Sequence, residues 1–224
     1  MIDDKRVLGV ITARGGSKGV PRKNLADFRG APLLQWTIEA ARECECLDRL
    51  ILSSDDAEII ALAASLGCEA PFVRSPELAS DDASSVDVVL DAAERVPGYD
   101  VVVLLQPTSP LRLAADIDGT VRALVDANAP GAVSVFETAH HPWLMFGVGD
   151  DRTLEAVVER PAGSSSRRQD CPAVYQLNGA VYAVETAWLR QNRVFVRSGE
   201  TVAFVMPGSR SLDIDTLEDL RAPG

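Results

Sequence analysis

A glycine-rich, cationic loop near the start of the chain contains the residues best suited to do chemistry. It runs from residue 13 to residue 24 and carries Arg14, Lys18 and Lys23. Glycines let backbone N–H groups approach an anion, and the cations offset charge that would repel an attacking nucleophile. The chain has only three lysines, and two of them are here, which indicates a need for a compact ammonium group. The loop is therefore predicted to bind phosphate.

The segments that flank this loop support the same interpretation. An apolar run at 7–11 is typical of a buried strand, and residues 32–38 have the spacing of a helix start. Strand, cationic glycine loop and helix together form a phosphate-binding arrangement. A solvated turn is the alternative. The loop is not a Walker A motif, because no Ser or Thr follows a Gly-Lys pair.

A second candidate site is the acidic pair Asp213 and Asp215, which flanks Ile214. If the segment is extended, both carboxylates project to one face and can share a divalent cation. Residues 215–218, Asp-Thr-Leu-Glu, also have the form of a capping box at a helix start. The sequence therefore allows a metal site, a helix cap, or both.

Apolar runs that alternate with helical patterns predict the fold. Strands are expected at 50–54 and 101–105, and helices at 56–66 and 85–96. Continuously apolar strands indicate burial on both faces, as in a parallel sheet. We predict a single α/β domain over 1–224: a doubly wound, mostly parallel sheet with helices on both faces. Its ligands should bind at the carboxyl ends of the strands.

Composition excludes several classes of function. The net charge of −11 argues against a nucleic-acid partner, which would require a basic face. No apolar stretch is long enough to span a bilayer, and the first residues lack a signal-peptide core, so we expect a cytoplasmic protein without a membrane partner. The four cysteines match neither a zinc ribbon nor a redox C-x-x-C motif, and are predicted to be buried or incidental thiols.

Six sequence blocks in order resemble the CMP-sialic acid synthetases, or N-acylneuraminate cytidylyltransferases. Together they span nearly the whole chain. They are Arg-Gly-Gly-Ser-Lys-Gly at 14–19 with Pro21 and Lys23-Asn24, Arg-Ser-Pro-Glu-Leu-Ala at 74–79, Leu-Gln-Pro-Thr-Ser-Pro-Leu-Arg at 105–112, His-His-Pro at 140–142, Asn-Gly-Ala-Val-Tyr at 178–182, and Asp-Ile-Asp-Thr at 213–216.

The resemblance implies a nucleotide-diphospho-sugar transferase-like fold and transfer of CMP from CTP to a sialic-acid-like nonulosonic acid, with release of pyrophosphate. It implies that Asp213 and Asp215 bind Mg²⁺ or another divalent cation. The implied catalytic residues are Arg14, Lys18, Lys23 and Asp213. The implied nucleotide contacts are Arg14, Ser17, Lys18, Asn24, Arg74 and Ser85. The implied contacts to the acceptor, a small anionic sugar acid, are Gln106, Arg168, Asn178, Tyr182 and Phe195, although the two aromatic residues could equally be core residues.

Residues 139–173 break the α/β pattern. In the family this segment is an arm that forms a homodimer with shared active sites, and Arg168 would come from the partner subunit. A mobile loop is the alternative for the tip at 163–166, since it is rich in Gly and Ser. The apolar cluster at 143–146 favours the arm, because it would be a poor surface to leave in water.

Three positions depart from the sialate pattern, all on the acceptor side. Leu144 replaces a lysine, Val196 replaces an aromatic residue, and Gln176-Leu177 replaces Arg-Pro. The acceptor could therefore be legionaminate, pseudaminate or a phosphonate. Two further hypotheses stay open: a nucleotidyltransferase for a sugar 1-phosphate, and a non-catalytic nucleotide-binding module of the same fold.

Overall fold

A mixed six-stranded sheet forms the centre of the molecule in the computed structural model, which describes residues 2–17, 19–161, 163 and 167–221. Lys18 of the predicted loop lies outside these residues. The strands follow the order β10-β6-β9-β5-β1-β4 across the sheet. Their bounds are β1 Val7–Thr12, β4 Arg49–Ser53, β5 Val101–Leu105, β6 Gly131–Glu137, β9 Tyr175–Glu185 and β10 Thr201–Val205. The short pairs β2 Asp27–Phe28 with β3 Ala31–Pro32, and β7 Phe146–Val148 with β8 Leu154–Ala156, form two separate ribbons.

The predicted, mostly parallel sheet is confirmed, with one exception. β1 pairs in parallel with β4 and β5, and β10 pairs in parallel with β6. β9 runs antiparallel to both of its neighbours, β5 and β6. The strand predicted at 101–105 has those bounds, and the strand predicted at 50–54 lies one residue earlier.

Helices cover both faces of the sheet, as predicted. Their bounds are α1 Leu33–Arg42, α2 Ala57–Ser65, α3 Pro76–Ala79, α4 Ser85–Arg95, α5 Ala114–Asp126 and α6 Thr186–Asn192. The apolar sides of α1, α2 and α5 pack in one core with Val7 and Ile11 of β1. Those of α4 and α6 pack in a second core with Leu8 and Val10. Alternate residues of one strand therefore reach opposite cores, which explains why the strands are continuously apolar.

A break in β9 occurs at Asn178 and Gly179. The pairing of β9 with β6 shifts in register there, and Gly179 adopts a left-handed conformation with φ of +72°. A side chain at Gly179 would be strained in φ, and its Cβ would lie 2.9 Å from the Gln106 side chain. Asn178 fills the break: its Oδ1 accepts bonds from the Ser134 hydroxyl (2.7 Å) and the Ala180 N–H (3.1 Å).

The guanidinium of Arg112 is buried in the core beside this break. It donates to the carbonyl oxygens of Ala180 (2.5 Å) and Gln106 (3.2 Å) and to the Thr37 hydroxyl (2.6 Å). Burial lowers the pKa of Arg112 to about 9, and the Asp116 carboxylate acts in the opposite direction. Arg112 thus connects α1, the loop after β5, and β9.

The segment predicted as an arm carries a two-stranded ribbon that is separate from the six-stranded sheet. Within the described part, a short 3-10 turn at Pro142–Leu144 leads into the β7–β8 hairpin, whose residues are all exposed. The exposed side chains include Phe146, Val148 and Leu154. Whether a second subunit covers this apolar hairpin remains a prediction.

Among the described residues, none of the helices combines the length and the apolar character needed to cross a bilayer.

Replacing Arg112 with methionine is expected to lower the free energy of unfolding by about 3 kcal/mol, because two buried carbonyl oxygens lose their donor. The matched control is Arg122→Met, which removes an exposed arginine of α5. Urea unfolding of both variants measures the difference. Equal losses in the two variants would show that Arg112 does not hold this edge of the sheet.

Candidate active site

Two adjoining cavities open at the carboxyl edge of the sheet, where β1, β4 and β5 end side by side. The first, of about 260 Å³, we call the arginine cavity. It is lined by Thr12, Arg14, Arg74, Leu78, Ser80, Asp81, Ala83, Ser85 and Val88. The second, of about 350 Å³, we call the acidic cleft. It is lined by Thr12, Arg14, Gly16, Ser17, Lys23, Asn24, Gln106, Pro107, Thr108, Asp213 and Asp215. The two share Thr12 and Arg14.

The acidic cleft brings together the predicted metal pair and one predicted catalytic lysine. Ile214 is buried under the sheet edge, and its N–H donates to the Thr108 carbonyl (2.8 Å). The flanking carboxylates of Asp213 and Asp215 therefore both face the cleft. Lys23 Nζ donates to the Ile214 carbonyl oxygen (2.9 Å) and to Asp215 Oδ1 (3.0 Å). The lysine thus fixes the acidic segment through both backbone and charge.

The capping-box interpretation of residues 215–218 does not fit the structure. No helix in the described chain begins at Asp215; a short 3-10 turn forms only at Asp219–Arg221. Instead, the Asp219 carboxylate accepts the N–H groups of Asp215 (2.9 Å) and Thr216 (2.7 Å). The Asp215 carboxylate is left to Lys23 and the cleft.

The electrostatics of the acidic cleft favour a cation. Burial raises the pKa of Asp213, a hydrogen bond from the Thr108 side chain lowers it, and the nearby charge of Asp215 raises it. Lys23 and Asp219 act in opposite directions on the same carboxyl. Oxygen donors of this kind are those that Mg²⁺ binds, so the residues fit a divalent cation.

The glycine-rich loop closes over this acidic segment. A Cβ added at Gly19 would lie 2.5 Å from the Asp215 carbonyl oxygen, so only glycine allows the approach. The Gly15 N–H donates to Asp55 Oδ1 (3.0 Å), which ties the loop to the end of β4. Ser17 lines the cleft, and buried Asn24 donates to the Arg14 carbonyl (2.9 Å). Asn24 therefore supports the loop from inside.

Arg14 stands where the two cavities meet. Its guanidinium pairs with Asp81 (2.7 Å) and donates to the Ser80 carbonyl (2.9 Å). These contacts hold the segment that forms the mouth of the arginine cavity. Because the pair is partly exposed, an anion with several charges can compete for the guanidinium.

Arg74 forms the floor of the arginine cavity. It is buried, and it donates to the hydroxyl (3.0 Å) and the carbonyl of Ser53 at the end of β4. Burial lowers the pKa of Arg74 to about 10, and the Asp55 carboxylate acts in the opposite direction. Ser85 lies at the exposed start of α4 on the rim. The cavity therefore offers a cation and a hydroxyl to a polar ligand.

The predicted acceptor residues divide into two groups. Gln106 lines the acidic cleft, next to Gly179. The rings of Tyr182 and Phe195 contact each other at a tilt of 51° with centroids 5.5 Å apart, and burial followed by the Asp213 charge raises the pKa of Tyr182. They pack on the second core and also serve as core aromatics.

The second group is not placed in a cavity. Asn178 is buried and its polar atoms are bonded within the protein, including Nδ2 to the Ser211 hydroxyl (3.0 Å). Its predicted contact with the acceptor stays a prediction beside this structural role. Arg168 belongs to a short 3-10 turn at Arg168–Asp170, but its side chain lies outside the described structure, as does Lys18.

Sequence reasoning missed the partners that position the site. Thr108, which bonds Asp213, and Asp55 each follow a predicted strand closely, at the edge where ligands were expected, so both could have been found. Asp81 and Ser80 gave no signal, because each lies far along the chain from Arg14, which it contacts.

Comparison with known proteins agrees with this geometry. The family model described as cytidylyltransferase matches residues 8–196. A pseudaminic acid cytidylyltransferase of Campylobacter jejuni is 35% identical over 95% of this chain and 92% of that protein. An N-acylneuraminate cytidylyltransferase of Streptococcus agalactiae is 34% identical over 94% of this chain and 50% of that protein.

A solved structure shares the fold. It is a CMP-2-keto-3-deoxy-manno-octonic acid synthetase in complex with CTP, with a TM-score of 0.72 and 18% identity, covering 96% of this chain and 95% of that one. One family matches most of the chain, and the acidic cleft and the glycine-rich loop agree with that match. Together they assign the chain to a family. The chain belongs to the CMP-sialic acid synthetase-like cytidylyltransferases and is a nucleotidyltransferase of this type.

Proposed function

We propose that this protein transfers CMP from CTP to a nonulosonic acid and releases pyrophosphate. The observation that carries the proposal is the meeting of the two cavities at Arg14. The arginine cavity has room and polar groups for a nucleoside. The acidic cleft contains the cations Arg14 and Lys23, which would bind phosphates. A triphosphate that extends from one cavity to the other would pass the Arg14 guanidinium, which can then stabilise the charge that develops during transfer.

The residues of the acidic cleft would position the two reactants. The anomeric hydroxyl of the acceptor attacks the α-phosphorus, a new P–O bond forms, and the bond to the β-phosphate oxygen breaks as pyrophosphate leaves. Lys23 lies beside Asp215 and would offset charge on the phosphates. The Asp213 carboxylate lines the cleft and is the proton acceptor that we propose for the attacking hydroxyl.

Asp213 and Asp215 are the residues that would hold Mg²⁺. When bound, the cation would act as a Lewis acid at phosphate oxygens and would balance negative charge in the cleft. In the structure Lys23 is the cation nearest to Asp215 among the contacts described. We therefore expect Lys23 to turn from Asp215 toward the phosphates in the loaded enzyme.

We propose pseudaminate or a close analogue as the acceptor. The relative from Campylobacter jejuni matches along nearly its full length, and all three departures from the sialate pattern fall on the acceptor side. Leu144 is partly exposed where the sialate enzymes have a lysine. A leucine cannot form hydrogen bonds to the hydroxyl groups of an acceptor. An apolar side chain at this position therefore favours an acceptor with fewer hydroxyl groups.

We propose further that the working unit is a homodimer with shared active sites. A two-stranded hairpin is marginally stable alone, and β7–β8 exposes Phe146, Val148 and Leu154. A second copy of the chain would cover this surface and give the arm a partner to pack on. Arg168, on the same arm, is the residue that we propose as the partner's contribution to the shared site.

The metal site is tested with Asp215→Asn. We expect activity to require Mg²⁺, and this variant to lose on the order of a hundredfold in kcat, because one ligand and its charge are removed. Pyrophosphate release with CTP measures the rate, with and without a chelator. The matched control is Glu218→Gln, an exposed acid three residues away. Near-normal turnover of Asp215→Asn with Mg²⁺ present would contradict the assignment.

The acceptor is identified with a panel of pseudaminate, legionaminate, N-acetylneuraminate, a phosphonate and a sugar 1-phosphate. We expect kcat/KM with CTP to be highest for pseudaminate. Leu144→Lys should shift preference toward N-acetylneuraminate, whereas Met145→Lys, a change at the exposed neighbouring position, should not. Release of pyrophosphate only with the sugar 1-phosphate, or with none of the acceptors, would refute the proposed function.

The shared site is tested by subunit mixing. Arg168→Ala and Asp215→Asn should each have strongly reduced activity alone and should regain activity together, because one of the two composite sites in a heterodimer is intact. The double variant Val148→Asp/Leu154→Asp should be inactive and should be a monomer when its mass is measured by light scattering. The control Val205→Asp, at an exposed site on β10, should stay dimeric. A fully active monomer, or no recovery after confirmed exchange, would argue against a shared site.

A further inference from the structure

Two thiols and one carboxylate meet at the junction between the end of α1 and the side of α5, outside both cavities of the active site. The Sγ atoms of Cys44 and Cys46 are 3.3 Å apart. Cys44 Sγ also donates to Asp118 Oδ1 (2.9 Å), and the possible ligand atoms of the three residues all lie within 4.8 Å of one another. The four cysteines are free, so these sulfurs remain thiols.

The backbone holds the three groups in place. Asp118 Oδ1 accepts the Cys46 N–H (2.9 Å), and Oδ2 accepts the Glu45 N–H (3.4 Å). Cys46 is buried in the first core, and Cys44 is partly exposed beside it. The carboxylate is thus held on helix α5. The two sulfurs belong to the loop whose N–H groups this carboxylate accepts. Little rearrangement would be needed to direct all three toward one point.

The charges of this cluster are unbalanced. Asp118 takes part in no salt bridge among the described residues, and two N–H groups and a thiol are its hydrogen-bond donors there. The neighbouring thiol, burial and the carboxylate together raise the pKa of Cys46. A cation with high affinity for sulfur would displace the protons and neutralise the three resulting negative charges in part.

We propose that Cys44, Cys46 and Asp118 form a binding site for a thiophilic d¹⁰ cation, Zn²⁺ in the first instance. Two thiolates and one carboxylate are donors that Zn²⁺ accepts, and a water molecule on the partly exposed side of Cys44 can complete a tetrahedron. A disulfide would use only the two sulfurs, whereas a cation would also use the carboxylate, which has an oxygen within 4.8 Å of both. The bound ion would link the α1–β4 loop to α5.

This site differs in chemistry from the acidic cleft, which offers oxygen donors. A hard cation such as Mg²⁺ prefers the cleft, and a softer cation prefers the thiolates. The two can therefore be measured separately. Because ligation requires loss of two thiol protons, affinity for the cation should rise with pH.

The test is a titration of the reduced, full-length protein with Cd²⁺, which gives a thiolate-to-metal charge-transfer absorption in the ultraviolet. We expect one equivalent per chain to saturate the band, Zn²⁺ to compete for it, and either ion to raise the melting temperature. Cys44→Ser keeps a hydroxyl donor to Asp118 but should lose the band. Asp118→Asn keeps an acceptor oxygen for one of the two N–H groups and should weaken affinity by roughly tenfold or more.

Two matched controls separate this site from other thiols and from the active site. Cys171→Ser removes a partly exposed thiol outside the cluster and should leave the titration unchanged. Asp215→Asn should also leave it unchanged, even if it abolishes turnover. Absence of the band in the reduced protein, its full retention in Cys44→Ser, or a Cys44–Cys46 disulfide that persists under reducing conditions would each overturn the proposal.

Discussion

The buried guanidinium of Arg112 sets the geometry on which the carboxyl edge of the sheet depends. Its three bonds join α1, the loop after β5 and the break in β9. Asp116 supplies the compensating charge and is itself held by two bonds from Arg210 (2.7 and 2.9 Å). A buried charge of this kind costs free energy of desolvation, which the surrounding acceptors offset. The Gln106 side chain and Gly179 can then lie against each other at the rim of the cleft.

The central part of the fold could be predicted from the sequence because its signal is local. The continuously apolar run of β5 identifies a strand buried on both faces, and it was predicted with correct bounds. The direction of β9 could not be predicted, because an apolar strand has the same composition whether its neighbours are parallel or antiparallel. Only the position of Asn178 and Gly179, after a long connection, reveals the break in pairing.

In the site, too, features encoded by neighbouring residues could be predicted, whereas contacts between residues far apart in the chain could not. The loop from 13 to 24 and the acidic pair were found because residue types and short spacings identify them. The pairing of Lys23 with Asp215 joins residues far apart in the chain, and no periodicity reports such a contact. The same reason hid the cluster at Cys44: its third member, Asp118, is on another helix. The helix-cap interpretation of Asp215 was wrong because the nearby Asp219 accepts the backbone N–H groups instead.

The arm has a simple place in the topology. β6 and β9 are antiparallel neighbours in the sheet, and the Thr138 N–H donates to the Val174 carbonyl (3.0 Å) where the arm begins and ends. The whole arm is therefore the loop of one hairpin. The entropy of closing a loop grows slowly with its length, by about 0.6 kcal/mol for each doubling. Insertions and deletions in this loop should thus cost the folded core little, so evolution could change the outer surface of the enzyme while the cytidylyltransferase core keeps its architecture.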